Sequence, residues 1–254
     1  MMKKIFEWIG GFALIVFSFY FTDRVSLLVA SKSKLMQEIK SVSATFYEKP
    51  IDAKIDKKNN TVVPGIYGKK INEEESYTSM KEFGIFNKNY LVYNLIKPKN
   101  SLRENIDKYI ISGNPLIRNV SLIVNDNEEV TSFLSSENIK FDEIVKSSDR
   151  QSDGEIINGA KDKKEFENIT SEKKLCIYEY SNLNECFKKK YFILKPIIKL
   201  NSSNIITVKD QVKPGILILI DDNARIEHVK VLLGEIKYKD LSIVYVSELI
   251  NEAK

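Results

Sequence analysis

The sequence has little histidine, cysteine, glycine or proline, and each shortage excludes a class of protein. Its one histidine, His228, excludes sites that need two imidazoles, such as a histidine-rich metal cage or a histidine dyad. Two cysteines, Cys176 and Cys186, cannot build a disulfide framework, and no C-x-x-C pair is present for zinc. Their spacing leaves open both a local disulfide and two buried thiols. Only 10 glycines and 6 prolines in 254 residues exclude collagen-like and low-complexity chains.

Neither sign of charge dominates the chain. Lysine and arginine number 39 against 35 aspartates and glutamates, and the two signs are interleaved, so no basic surface for nucleic acid is predicted. The hydrophobic share is 43%, which suffices for one sizeable folded domain or two small ones.

An apolar segment at the N-terminus predicts a membrane anchor over residues 1–23. Residues 5–22 carry one charge, Glu7, and their number is near the lower limit of roughly 17–25 for a spanning helix. A cleaved signal peptide is the alternative, but Asp23 and Arg24 follow the apolar core directly and no small-x-small pair lies close behind it. A buried helix of a soluble domain would have to explain apolar residues on every helical face.

The flanking charges are nearly balanced, so they do not fix the orientation of this anchor. Because a long hydrophilic body after a single start segment is usually translocated, we expect the N-terminus inside the cell. The expected location is therefore the cell membrane, with one span and an extracytoplasmic C-terminal part.

Two segments of different character follow the anchor. Residues 24–44 indicate a juxtamembrane helix or stalk with a weak apolar stripe. Residues 45–115 indicate a small α+β module, in which the Asn72-x-x-Glu75 capping box predicts a helix over 73–83.

The C-terminal part, residues 116–254, has the pattern of an α/β domain. Residues 120–124 and 216–220 are unbroken aliphatic runs, and residues 224–237 form an amphipathic helix pattern. Apolar strands that alternate with amphipathic helices predict a parallel sheet buried on both faces.

Several of these stretches resemble the polysaccharide deacetylase (NodB-homology) family, from about Ile111 to the C-terminus. Ser-Leu-Ile-Val-Asn-Asp-Asn at 121–127 is similar to the family's Thr-Phe-Asp-Asp-Gly strand end, and Glu-Ile-Ile-Asn-Gly at 155–159 to its Glu-Ile-Gly-Asn-His segment. The order of elements from 215 to Val-Ser-Glu-Leu at 246–249 also agrees. The resemblance implies a distorted or incomplete (β/α) barrel of deacetylase type, preceded by the transmembrane helix and the small module.

The residues that the resemblance implies for catalysis are mostly absent. The family uses one acid as a base and holds a metal, usually zinc, with a second acid and two histidines. Here Asn125 stands at the base position and cannot accept a proton, while Gly159 stands at the first histidine and Asp221 at the catalytic acid. Only Asp126 is retained, so we expect no cofactor, no metal site and no catalytic residues.

Five polar residues at predicted strand ends are candidates for ligand binding, either in a small polar cleft or around a hard cation held by their oxygen atoms. In a barrel, the carboxyl ends of the strands form the face where functional sites collect. The simpler interpretation is that these side chains cap helices and turns. The candidates are Asn125, Asp126, Asn158, Asp221 and Asp222.

The sequence therefore favours a membrane-anchored, extracytoplasmic deacetylase-like protein that has lost catalysis and has a binding or assembly role in the cell envelope. Its expected partners are the membrane and a cell-wall glycan or envelope protein. The alternatives are an active carbohydrate de-N-acetylase with a rebuilt site, and a scaffold whose N-terminal module is the functional part.

Overall fold

The structure is a computed structural model that describes residues 11, 12, 14–18, 20, 30–150 and 152–253. Its strands are β1 (Lys54–Asp56), β2 (Thr61–Val63), β3 (Gly68–Ile71), β4 (Tyr93–Ile96), β5 (Tyr109–Ile110), β6 (Asn119–Asn125), β7 (Asp142–Val145), β8 (Glu155–Asn158), β9 (Leu175–Ile177), β10 (Phe192–Leu194), β11 (Ile198–Leu200), β12 (Leu217–Ile220) and β13 (Ser242–Ile243). Its α-helices with defined bounds are α1 (Lys34–Ser43), α2 (Glu73–Met80), α3 (Glu128–Ser136), α4 (Lys163–Asn168), α5 (Leu183–Lys188), α6 (Ile205–Gln211), α7 (Ile226–Tyr238) and α8 (Val246–Leu249).

The chain divides into two compact units. The first comprises Met1–Lys49 and Gly68–Ile96, and the second comprises Pro50–Tyr67 and Lys97–Lys254. Residues of the predicted 45–115 module contribute to both units, since β1, β2 and β5 belong to the second.

The first unit is built from α1, α2 and the antiparallel pair β3–β4. Leu35 and Ile39 on α1 pack with Ile71 and Met80, so this helix is part of the unit. The predicted cap of α2 is present, because the side chain of Asn72 accepts a hydrogen bond from the Glu75 amide. Helix α2 is shorter than expected and ends at Met80.

The second unit contains one large sheet in the order β1-β2-β5-β10-β9-β8-β7-β6-β12-β11, with β13 also paired to β6. All of its strand pairs are parallel except β1–β2. The two aliphatic runs predicted as central strands are β6 and β12, which pair with each other and are buried. The predicted α/β class with a buried parallel sheet is confirmed.

The two faces of this sheet have separate cores. On the outer face, Val124 and Ile220 pack with Val229 and Leu232 of α7. On the inner face lie buried side chains from eight strands together with α8 and Ile250. Residues two apart on a strand share a face, so position along a strand tells which face a polar side chain occupies.

The two cysteines lie in a third, smaller core and form a disulfide bond between β9 and α5. Both are fully buried. The structure thus resolves the alternative that their spacing left open.

The predicted anchor lies largely outside the described residues. Those of its residues that are described are helical, and Phe12, Leu14, Ile15 and Val16 are exposed. Within the described ranges, no helix combines the length and apolar character needed to cross a membrane.

Candidate functional site

The carboxyl ends of the central strands bring together a group of polar side chains on the inner face of the sheet. Asn125 lies two residues after the inward Ile123 on β6, and Asp221 two residues after the inward Leu219 on β12. Tyr180, just beyond the end of β9, packs against the inner core. Together with Glu179 and Lys199, these residues form a group that we call the mouth cluster (Asn125, Glu179, Tyr180, Lys199 and Asp221).

A hydrogen bond links two members of the mouth cluster, and a third acts on them electrostatically. The Asn125 Nδ2 group donates to the hydroxyl oxygen of Tyr180 at 3.2 Å. The carboxylate of Asp221 is close enough to act on the Tyr180 phenol through its charge. Asn125 is 3% exposed, and its Oδ1 has no hydrogen-bond partner among the described residues. A buried acceptor in this state costs about 1–3 kcal/mol, which makes it a site where a ligand donor would bind favourably.

The electrostatics of the mouth cluster are dominated by carboxylates. Burial raises the pKa of Asp221, the nearby cation of Lys199 opposes this, and the carboxylates of Asp222 and Glu179 raise the pKa further. The pKa of Tyr180 is raised by burial and then by the carboxylates of Asp221, Glu179 and Asp222. Lys199 forms an ion pair with Glu179. Carboxylates therefore dominate the charges that shift the pKa of the phenol.

Asp126 has a different role from its neighbour Asn125. Its backbone is left-handed, with φ at +51°, and its carboxylate forms an ion pair with Arg150. Arg150 also contacts the buried carboxylate of Glu143 at 2.8 Å, and Lys146 Nζ lies 3.8 Å from Asp126 Oδ2. Arg150 and Lys146 thus lie against the carboxylate that the resemblance would assign as a metal ligand.

The family's zinc does not fit this set of residues. Among the described residues no group of three or more histidine, cysteine, aspartate and glutamate side chains could hold a metal ion. Gly159, which stands at the first histidine position, has no room for a side chain, because an added Cβ would overlap Cγ2 of Ile144. Asp126 would also have to lose its ion pairs with Arg150 and Lys146 before its carboxylate could bind a metal cation.

Lys146 connects the two groups of charges. Its Nζ lies 4.9 Å from the centroid of the Tyr180 ring while it also neighbours Asp126. A cation above an aromatic ring is attracted by the ring's electrons. Lys146 therefore covers one face of Tyr180.

The other two predicted candidates have local roles. Asn158 faces outward on β8, where its Nδ2 donates to the carbonyl of Phe166 at 2.9 Å and its Oδ1 accepts from the Ala160 amide. This matches the capping and turn interpretation. Asp222 is exposed beside the mouth cluster and contributes charge.

Sequence reasoning did not select Asn127, which ties the loops of the site together. Its Oδ1 caps helix α3 by accepting from the Val130 amide, and its Nδ2 donates to the carbonyls of Asp221, Asp222 and Ala224. An asparagine just before the Glu-Glu start of a helix is the sequence signal of such a cap. Tyr180, Lys199 and Arg150 carried no comparable signal.

Comparisons with known proteins agree with this description of the fold. No protein-family model matches the sequence. The uncharacterized protein YlxY of Bacillus subtilis (strain 168) is 36% identical over 98 residues, which are 39% of this chain and 30% of that protein. The chain thus matches less than a third of the length of this relative.

Two of the similar solved structures are those of BA3943 from Bacillus anthracis, described as a CE4 family pseudoenzyme, and of its mutant with restored enzymatic activity. The wild-type structure has a TM-score of 0.56 at 15% identity, and the match covers 88% of this chain and 97% of the other. The mutant structure has a TM-score of 0.55 at 15% identity and covers 87% and 99%. The chain therefore has a degenerate polysaccharide deacetylase-like fold of the CE4 type.

Proposed function

We propose that this chain is a membrane-anchored, extracytoplasmic protein that binds a glycan of the cell envelope without deacetylating it. The single observation that supports this most strongly is the state of the two adjacent strand-end residues. Asn125 has an amide where a base is needed, and the carboxylate of Asp126 is engaged by Arg150 and Lys146. Neither residue is free to activate water or hold a metal.

Two further observations support the proposed location. The described residues of the apolar N-terminal segment expose large hydrophobic side chains, which suits contact with lipid. The buried Cys176–Cys186 disulfide suits an oxidising compartment outside the cytoplasm. A BA3943 structure is described as that of a pseudoenzyme, so the fold can occur without the activity.

The proposal is tested by incubating the full chain with chitin-type and peptidoglycan oligosaccharides in the presence of zinc, cobalt or manganese, and measuring acetate release. We expect no release above that of an Asp126→Ala control, which removes contaminating activity from the comparison. Binding of the same oligosaccharides is measured by calorimetry. Metal-dependent release that disappears in Asp126→Ala would refute the loss of catalysis.

An Asn125→Asp variant sharpens this test. It supplies the acid at the base position and changes little else in size. We expect it to remain inactive, because Asp126 is still paired with Arg150 and no histidine can be placed at Gly159. Activity in Asn125→Asp would mean that one residue separates this chain from a working enzyme.

A second candidate function is a hydrolase with a rebuilt site, and Asp221 is the observation in its favour. Its pKa is raised by burial and further by the carboxylates of Asp222 and Glu179, and a raised pKa suits a general acid. Under this alternative, acetate release would occur without added metal and would be lost in Asp221→Asn.

A further inference from the structure

The mouth cluster has unused hydrogen-bond acceptors. The Asn125 Nδ2 group donates to the Tyr180 hydroxyl oxygen, which leaves Asn125 Oδ1 buried and unpaired. The half-buried carboxylate of Asp221 is a second acceptor, and a charged one. A ligand that brings hydrogen-bond donors would complement both groups.

The charges beside the mouth cluster are balanced within a separate group. Arg150 and Lys146 contribute two positive charges, and Asp126 and Glu143 contribute two negative charges to the same ion-pair network. Asp126 turns toward these cations through its left-handed backbone. This network adds no net charge to the mouth cluster.

The mouth cluster itself carries an excess of negative charge. Lys199 is paired with Glu179, and no lysine or arginine among the described residues forms an ion pair with Asp221 or Asp222. The carboxylates of Asp221, Glu179 and Asp222 all act on Tyr180, which lies at the centre of the cluster. A cationic donor complements this arrangement better than a neutral one.

We propose that the mouth cluster recognises the protonated free amine of a de-N-acetylated amino sugar, with Asn125 Oδ1 and the Asp221 carboxylate as its acceptors. This inference rests on the proposed glycan-binding function and specifies the class of ligand. An ammonium group brings three donors and a positive charge. An acetamide brings one N–H and no charge, so it complements the carboxylates less well.

The test measures calorimetric binding of two probes to the full chain in lipid nanodiscs at neutral pH. One probe is a chitosan tetrasaccharide with free amines, and the other is the same tetrasaccharide fully N-acetylated. We expect the free-amine probe to bind at least about tenfold more tightly, a factor typical of one added charge-assisted contact.

Variants locate the preference in the mouth cluster. Asp221→Asn keeps the shape of the side chain and removes its charge, so affinity for the free-amine probe should fall about tenfold while that for the acetylated probe changes little. Asp210→Asn, at an exposed position on α6, is the matched control and should leave both affinities unchanged. Asn125→Asp adds a carboxylate beside the amine and should raise affinity for the free-amine probe, which provides a second test if Asp221→Asn unfolds.

The outcomes separate this inference from the proposed function. Equal affinity for the two probes, or tighter binding of the acetylated one, would overturn the inference and leave glycan binding in place. Free-amine binding that is unchanged in both Asp221→Asn and Asn125→Asp would overturn the assignment to the mouth cluster. Failure of both probes to bind would contradict the inference and the proposed function together.

Discussion

The carboxylate of Asp142 accepts a hydrogen bond of 2.8 Å from the backbone amide of Val246, the first residue of helix α8. Asp142 is fully buried, and its Oδ1 has no partner among the described residues. Burial raises its pKa well above the usual range, and Glu155 and Glu248 raise it further against the hydrogen bond from Val246. This pair fixes the start of the helix that covers the inner core.

The raised pKa of Asp142 predicts a pH-dependent stability. The folded state holds this proton more tightly than the unfolded state does, so the stabilising contribution of Asp142 is complete below the unfolded pKa of about 4. That contribution is lost as pH rises through the folded pKa. Asp142→Asn keeps an acceptor for Val246 and can direct its amide toward Glu155, the paired residue on β8. We expect it to raise the free energy of unfolding near pH 8 by about 1–3 kcal/mol and to flatten its pH dependence. Urea unfolding at about pH 5 and pH 8 measures this, with exposed Asp240→Asn as control; a slope as steep as that of the parent would contradict it.

The sequence predicts those parts of the fold that a local pattern of residues marks, and it does not predict contacts between residues that are far apart in the chain. β6 and β12 were predictable because unbroken aliphatic runs have no other stable environment. Asn125 and Asp221 were predictable as strand-end residues for the same reason. The turn of Asp126 toward Arg150 was not, because the two residues are 24 positions apart and no local pattern joins them. Tyr180 was not predictable either, because only the tertiary fold brings it close to Asn125 and no local pattern marks it.

Glu252 holds the C-terminal residues of the second unit and provides a second prediction. Its carboxylate accepts from the Gly65 amide at 2.7 Å and from the Leu102 amide at 2.9 Å, and its side chain is buried. Hydrogen bonds to a charged group are stronger than neutral ones. We expect Glu252→Gln to lower the free energy of unfolding by about 1–2 kcal/mol and Glu252→Ala by more. Glu227→Gln, at an exposed position, is the matched control. Equal free energies of unfolding for the three variants would show that the hydrogen bonds of Glu252 do not stabilise the fold.

The ion pair between Arg150 and Glu143 provides a third prediction. Arg150→Met leaves the Glu143 carboxylate, whose side chain is 4% exposed, without its cation. We expect a loss of about 2–4 kcal/mol, since removing one partner of a buried pair leaves an uncompensated charge. Adding Glu143→Gln should recover at least half of the loss. A double variant no more stable than Arg150→Met would mean that Arg150 acts through Asp126 instead.

The close approach of Gly159 to Ile144 provides the last prediction. An alanine Cβ at position 159 would overlap Cγ2 of Ile144, so one of the two strands β7 and β8 must shift to accept Gly159→Ala. Overpacking of this kind costs about 1–3 kcal/mol. Ile144→Ala alone opens a cavity and should cost about 2–5 kcal/mol, but it also removes the overlapping methyl group. The double variant should therefore be more stable than the sum of the two single effects implies, by at least about 1 kcal/mol in a double-mutant cycle. Simple additivity would mean that position 159 can hold a side chain, and the steric argument against a histidine ligand there would no longer stand.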